Sequence, residues 1–212
     1  MDGFYLFFID INFHLFSFQI FISDIAIIGG NDMVYYSEKD VEVISIKYDS
    51  MSLVNTTFRP LPMTLKGLRG TQLPNNDLLV CGGSIMVIDQ HISYLTEVSG
   101  ISDTYLLYNH ASKQWKEVGK MKMSRFNHSS VLLNGCVFSC GGDRSYSSRP
   151  DLLRPDKHQK TSSHEVISLD GIVKERKELP IALSYHTANK INETEYMICG
   201  GYDANVSKTS KS

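Results

Sequence analysis

A pair of glycines that closes an apolar run recurs four times along this chain. The pairs are Gly29-Gly30, Gly82-Gly83, Gly141-Gly142 and Gly200-Gly201. Their first members are 53, 59 and 59 residues apart, and a period of about 50 residues indicates one supersecondary unit that is used several times. Because neighbouring units of a repeat protein share their core, we expect the 212 residues to form one continuous array.

Each period holds enough apolar sequence for four short strands. The clearest copy has strands at residues 104–108 and 114–118 around a polar turn, and at 129–133 and 136–140 around an Asn-Gly pair. Asn-Gly is a preferred sequence for a two-residue hairpin turn. Four-stranded sheets that repeat at this period, with glycines at fixed places, are typical of the blades of a β-propeller.

The same residues resemble the kelch family. The family pattern combines a strand that ends in Gly-Gly, a Tyr, a Trp, and an Arg-x-x-His that precedes the next strand. A nearly complete copy in this chain consists of Gly82-Gly83, Tyr108, Trp115, Arg125 and His128. The following unit keeps His186 and the last glycine pair, with Leu169 and Val173 near the places of the Tyr and the Trp.

The resemblance covers residues 24–203 and implies an all-β fold, an incomplete kelch-type β-propeller of about three to four four-stranded blades. We expect residues 24–212 to form this propeller fragment, and the apolar residues 1–23 to contribute one or two strands. The family usually closes a ring of about six blades. Because the chain has fewer blades than such a ring, three alternatives remain. The chain is part of a longer propeller, it is a small divergent propeller, or it is half of a ring that a second copy completes as a homo-oligomer.

Charge and hydropathy disfavour two classes of partner. The net charge is −2, from 21 Lys and Arg against 23 Asp and Glu, and this provides no basic field for a nucleic acid. Residues 4–28 are rich in Phe and Ile but include Asp10, Asn12 and His14, and no Lys or Arg precedes Lys39. This pattern disfavours a membrane span and a signal peptide.

Three of the four cysteines, Cys81, Cys140 and Cys199, stand directly before a glycine pair. Equivalent places in successive blades lie farther apart than the Cα limit of about 7 Å for a disulfide, and Cys136 is four residues from Cys140 on one strand. We therefore expect four buried, reduced thiols and a cytoplasmic protein. The four Asn-x-Ser/Thr sequons matter only if the chain is secreted.

Most of the recurring residues have a structural interpretation. The glycine pairs suit turns that close strands, Tyr108 and Trp115 suit packing between blades, and His128 and His186 suit a hydrogen bond that each unit repeats. His-x-His, a second close Cys pair and Gly-x-Ser-x-Gly are absent from the sequence. We therefore expect no metal, no cofactor and no catalytic residue.

Arg125 is the first candidate for binding, because in the resembled family this position lies near the mouth of the central channel. Counting back 16 residues from the glycine pair gives Lys66 as its counterpart in the preceding unit, and about Leu183 in the next. Two cations there would hold an acidic segment of a partner, since a guanidinium group binds a carboxylate in bidentate fashion. The alternative is a salt bridge from Arg125 to a neighbouring loop.

The second candidate for binding is a pair of long connections between strands. Residues 84–103 and 143–164 each join the second and third strands of a blade, and the latter connection includes Arg144 and Arg149. Long loops on a rigid scaffold commonly carry binding function, although a basic loop is also compatible with simple solvation.

The leading hypothesis for function is a noncatalytic module for protein–protein interaction, acting as a scaffold or, as the resemblance suggests, as a substrate receptor. The alternative is a propeller enzyme of the galactose-oxidase or sialate-isomerase type that acts on a sugar. Fold analogy alone does not decide between them. The sequence presents neither a recognisable Tyr/His metal-binding set nor a paired acid and base.

Overall fold

The computed structural model describes residues 16–21, 24–28, 41–47, 50–54, 58–88, 96–144 and 159–203, and every regular element in these ranges is a β-strand. In chain order the strands are β1 (Phe16–Phe21), β2 (Asp24–Ile28), β3 (Val41–Lys47), β4 (Ser50–Val54), β5 (Leu65–Lys66), β6 (Arg69–Gln72), β7 (Leu78–Cys81), β8 (Ser84–Ile88), β9 (Thr96–Ile101), β10 (Thr104–Asn109), β11 (Gln114–Lys120), β12 (Ser129–Leu133), β13 (Cys136–Cys140), β14 (His164–Ser168), β15 (Val173–Glu175), β16 (Leu183–Ser184), β17 (Thr187–Lys190), β18 (Tyr196–Cys199) and β19 (Tyr202–Asp203). These ranges contain no helix that is long and apolar enough to cross a membrane.

Three antiparallel sheets of four strands follow one another along the chain. Their strand orders are β1-β2-β3-β4, β6-β7-β10-β11 and β12-β13-β14-β15, and a two-stranded sheet of β17 and β18 follows them. We call these sheets blades 1 to 4. The predicted all-β fold, an incomplete propeller of about three to four blades, is confirmed over the described residues.

Blade 1 includes a strand from the apolar N-terminal region. β1 pairs with β2 along its length, with Phe16 opposite Ile28. A domain boundary at residue 24 would therefore separate two paired strands, and residues 16–21 are better described as the first strand of blade 1 than as a segment that precedes it. The remaining residues of the predicted segment 1–23 lie outside the described ranges.

The blades stand side by side through their first strands. β1 contacts β6, β6 contacts β12, and β12 contacts β17, while each blade keeps its own sheet. At the contact between blades 2 and 3, the side-chain oxygens of Thr71 and Ser130 are 3.0 Å apart. This is the arrangement of a propeller, in which the first strand of every blade faces the axis.

A short segment precedes the first strand of blades 2, 3 and 4. We call residues 61–68, 121–128 and 179–186 the lead-in segments. Each pairs with the residues that follow the glycine pair of its own blade: Lys66 with Ser84, Phe126 with Asp143, and Ser184 with Tyr202. We call the surface formed by these pairings and the β8–β9 hairpin the loop face. The three pairings also show which residues of the three units are equivalent.

The apolar core lies between the blades. The cluster that joins blades 2 and 3 includes Leu79, Cys81, Tyr105, Val137 and Ile167. The cluster that joins blades 3 and 4 includes Val131, Leu133 and Ala188. Each blade therefore depends on its neighbours for burial of its faces, as in other repeat proteins.

The strand register corrects one detail of the sequence alignment. Tyr108 lies opposite Trp115 in blade 2, and in blade 3 the residue opposite Val173 is Ile167. Ile167, and not Leu169, thus occupies the place of the Tyr. Leu169 follows the end of β14 and is exposed.

Candidate functional site

The glycine pairs of blades 2 and 3 each join their blade to the next. In the pair of blade 2, the N–H of Gly83 donates to the carbonyl of Arg125, in the lead-in segment of blade 3, at 2.9 Å. In blade 3, Gly142 donates in the same way to Leu183 at 2.7 Å. Both members of each described pair have positive φ angles, which favour glycine. The pair at Gly29-Gly30 lies outside the described residues.

His128 and His186 lie over the thiols that precede these glycines. The Nε2 of His128 is 3.2 Å from the Sγ of Cys81, and the Nε2 of His186 is 3.8 Å from the Sγ of Cys140. Burial lowers the pKa of His128 well below its usual value and lowers that of His186 to about 4, while it raises the pKa of Cys81 to about 11. These groups are therefore neutral at pH 7, and the thiols lack the thiolate character of a nucleophile.

The cysteines differ in exposure more than the sequence predicted. All four are free; Cys81 and Cys140 are buried, Cys136 is half-buried, and Cys199 is exposed. The expectation of four buried thiols is wrong for Cys199, which no blade covers within the described residues, and it is met only in part for Cys136.

Tyr108 and Trp115 pack on the segment that leads into blade 2. The ring of Tyr108 lies 5.0 Å from that of Trp115 and 4.7 Å from that of Phe58. The indole N–H of Trp115 donates to the carbonyl of Arg59 at 2.8 Å. The two aromatic residues thus attach residues 58–59 to the outer part of the blade, and their rings face protein rather than an open cage.

Arg125 is fully buried, so its side chain faces the protein interior, and its predicted contact with a ligand stays a prediction. Its guanidinium donates to the carboxylate of Glu165 at 2.5 Å and to the carbonyls of Gly141 and Ser163 at 3.0 and 2.8 Å. It also donates to the Ser163 hydroxyl at 2.8 Å. The alternative was a salt bridge to a neighbouring loop; Arg125 forms a salt bridge, but its partner Glu165 lies in strand β14, and both charged side chains are inaccessible to solvent.

The structure agrees with one predicted counterpart of Arg125, Leu183, because Ser184 pairs with Tyr202 as Phe126 pairs with Asp143, and it corrects the other. The pairing of Lys66 with Ser84 corresponds to that of Phe126 with Asp143, so Leu65, and not Lys66, is the equivalent of Arg125. The count was displaced by one residue because three residues, 74–76, separate Leu73 from Asp77 in the hairpin of blade 2, whereas only Asn134 and Gly135 separate the equivalent Leu133 and Cys136 in blade 3. No ring of cations follows from these positions.

Glu165 was missed by the sequence analysis. It lies in β14, and its carboxylate accepts hydrogen bonds from the backbone N–H groups of Lys122 and Met123 at 2.6 and 3.1 Å as well as from Arg125. The available signal was an acidic residue directly before the apolar pair Val166-Ile167, because a buried carboxylate requires a partner.

The remaining candidates lie at or near the loop face. Lys66 is half-buried in β5, and burial lowers the pKa of its ammonium from 10.5. Arg144 is exposed and follows Asp143, whose equivalent in blade 2 is Ser84. Arg149 lies outside the described residues. Of the long connections, residues 84–103 contain the β8–β9 hairpin, and residues 143–164 are described only at their two ends.

Comparison with known proteins gives a partial match. The chain is similar to Kelch-like protein 23 of Homo sapiens, with 29% identity over 85 residues. The match spans 39% of this chain and 15% of the length of that protein. No protein-family model matches the chain. The similarity is compatible with kelch-type repeats in the blades.

Proposed function

We propose that the chain is a noncatalytic interaction module that binds a protein partner through the loop face, as a scaffold or a substrate receptor. The carrying observation is the β5-β8-β9 sheet: after the glycine pair of blade 2 the chain leaves the blade and forms the β8–β9 hairpin, which pairs with β5 of the lead-in segment. The opposite ends of the strands are joined by short turns, such as the Asn-Gly turn of blade 3. Extended loops on a rigid scaffold are where binding residues commonly lie.

The cations near this face favour an acidic segment as the ligand. Arg144 is exposed and Lys66 is half-buried beside Ser84. A carboxylate next to Lys66 would offset the desolvation of its ammonium, and a carboxylate next to Arg144 would form bidentate hydrogen bonds. The free thiols favour a cytoplasmic location for such a complex.

The experiment compares two charge-reversal variants with the same change in net charge. Lys66→Glu with Arg144→Glu alters the loop face, and Lys116→Glu with Lys174→Glu alters exposed positions in the fourth strands, β11 and β15. We expect an oligoglutamate peptide, and proteins captured from a cytoplasmic extract, to bind the wild type and the control at low salt, and to bind the loop-face variant at least tenfold more weakly.

Equal binding to both variants would contradict the proposal. The rival function is a sugar-converting propeller enzyme, and no specific feature of the described residues favours it: they hold no group of three or more His, Cys, Asp or Glu side chains placed for a metal. Oxidation of galactose by the copper-treated chain, or isomerisation of a sialate, would establish that rival.

A further inference from the structure

Two of the four Asn-x-Ser/Thr sequons lie within the described residues, and their environments are opposite. Residues 127–129 join the lead-in segment of blade 3 to β12, and Asn127 is 3% exposed. Residues 192–194 lie in the turn between β17 and β18, and all three are exposed. N-linked glycosylation attaches a bulky, hydrophilic group to the asparagine of such a sequon. The two sites should therefore respond to this modification differently.

The atom of Asn127 that would carry a sugar is bound inside the protein. The Nδ2 of Asn127 donates to the Oδ2 of Asp143 at 3.1 Å, and Asp143 is fully buried. On the other side, a Cβ on Gly67 would lie 2.6 Å from the Oδ1 of Asn127. The amide group is thus enclosed between Gly67 and Asp143. A sugar on Nδ2 cannot enter this close-packed interior, and it would leave the buried carboxylate of Asp143 without its amide donor.

The backbone of Asn127 also connects the lead-in segments of three blades. Its N–H donates to the carbonyl of Gly67 at 2.8 Å, and its carbonyl accepts from the N–H of Tyr185 at 2.9 Å. These three residues are equivalent, because each lies two residues before the first strand of its blade, and all three have positive φ angles. A displacement of Asn127 that made room for a sugar would break both contacts between blades.

Asn192, in contrast, is held at the surface by its own turn. Its Oδ1 accepts hydrogen bonds from the backbone N–H and the hydroxyl of Thr194 at 2.8 and 2.9 Å, and its Nδ2 donates to exposed Glu195 at 2.6 Å. The equivalent turns of blades 2 and 3 are also exposed, at residues 74–76 and 134–135, although a further blade packs beside each of them. Exposure is therefore a property of this position in a blade, and a sugar on Asn192 would replace only the contact with Glu195.

We propose that N-linked glycosylation of Asn127 prevents the assembly of blades 2, 3 and 4, whereas Asn192 is a permissive acceptor. In the reaction, Nδ2 of the asparagine loses a proton and bonds to the anomeric carbon of a lipid-linked oligosaccharide, and the lipid pyrophosphate leaves. An unfolded chain that enters the secretory route exposes both sequons, so the burial of Asn127 in the folded state gives no protection there. The chain should therefore fold only in a compartment that lacks this modification.

The test directs the chain into the secretory route of a eukaryotic cell with a cleavable signal peptide. Asn55→Gln and Asn205→Gln, which lie outside the described residues, remove the other two sequons and give the background chain. We expect this chain to be modified at both remaining sequons and to be secreted at least tenfold less than the same chain with Asn127→Gly. Glycine is the residue that blade 2 has at this place, Gly67, and it suits the positive φ. Ser129→Ala removes the same sequon, keeps Asn127, and should restore secretion equally.

Asn192→Gln is the matched control, because it removes the exposed sequon and should leave secretion as low as that of the background chain. All variants keep the four cysteines, so oxidation of thiols does not distinguish them, and in cytoplasmic expression their soluble yields should agree within about twofold. A secreted, folded chain with a sugar on Asn127, located by mass spectrometry, would overturn the proposal. Equal secretion of the background chain and both variants that lack the sequon at 127–129 would also overturn it.

Discussion

At the scale of single residues, the buried pair of Arg125 and Glu165 takes the place of an apolar pair. The strand registers make Leu65 the equivalent of Arg125 and Leu106 the equivalent of Glu165, and both leucines lie in one apolar cluster of blade 2. Lys122, whose N–H donates to Glu165, is equivalent to a residue without an N–H, Pro62. Blades 2 and 3 therefore stabilise the same lead-in geometry by different chemistry.

This equivalence predicts the effect of removing the charges. Arg125→Leu or Glu165→Leu alone should lower the free energy of unfolding by about 3–5 kcal/mol, because each leaves a buried charge without its partner. The triple variant Lys122→Pro/Arg125→Leu/Glu165→Leu reproduces the residues of blade 2 and should recover most of that loss. Urea denaturation measures all three, and a triple variant as unstable as the sum of the single changes would contradict the interpretation.

The buried imidazole of His186 predicts a pH dependence of stability. Its pKa is lowered from 6.5 to about 4, so between these values the unfolded chain binds more protons than the folded chain. Stability is fully present above pH 6.5 and falls as the pH decreases towards 4, by up to roughly 2–3 kcal/mol from this group. His186→Leu, which introduces the residue that blade 2 has at this place, Leu68, should show a shallower decline in thermal denaturation. Identical pH profiles would contradict the assignment.

At the scale of strands and turns, the glycine pair is a docking point as well as a strand end. Gly141 and Gly135 close the two ends of the same strand, β13, and both have positive φ, 64° and 71°. A Cβ on Gly135 would meet no atom within 4 Å, whereas one on Gly141 would meet the imidazole of His186 at 2.5 Å. Of these two glycines, only Gly141 is constrained by the next blade.

Two alanine substitutions separate these contributions. Gly135→Ala should cost about 1 kcal/mol of unfolding free energy, from its left-handed backbone alone. Gly141→Ala should cost roughly 1–3 kcal/mol more, because the lead-in segment of blade 4 must shift. Chemical denaturation of both variants gives the comparison. Equal losses would mean that the glycine pair serves the turn and not the contact between blades.

The sequence was sufficient for the strands and insufficient for the site. Asn134-Gly135 and the glycine pairs act locally, through backbone conformation, so the hairpins of blade 3 could be predicted. The environment of Arg125 depends on Glu165, 40 residues away, and on a turn length that displaces a simple residue count. Exposure of Cys199 depends on which blades are present beside it, and a repeat pattern alone does not contain that information.

At the scale of the whole molecule, local stability should differ from one blade to the next. Blade 3 has neighbours on both sides, and its core residues Val137 and Ile167 are buried. Blade 4 has two described strands and an exposed face that includes Met197. In repeat arrays each unit is stabilised by its interfaces with its neighbours, so a unit with one interface opens more readily.

Native-state hydrogen exchange should reveal this gradient. At a concentration at which the chain is monomeric, amides of β17 and β18 should exchange at least tenfold faster than the paired amides of β13 and β14, because local opening there exposes less apolar surface. Uniform protection across these four strands would indicate a single cooperative unit and would contradict the repeat description.

A cross-link between first strands can show whether successive blades meet side by side through these strands. The side-chain oxygens of Thr71 and Ser130 are 3.0 Å apart across blades 2 and 3, so Thr71→Cys/Ser130→Cys should form an intramolecular disulfide on mild oxidation and raise the midpoint of thermal unfolding. Thr71→Cys/Asn189→Cys, with the second cysteine one blade farther away in β17, should form none. A disulfide in the second variant, or in neither, would contradict the side-by-side arrangement of the blades.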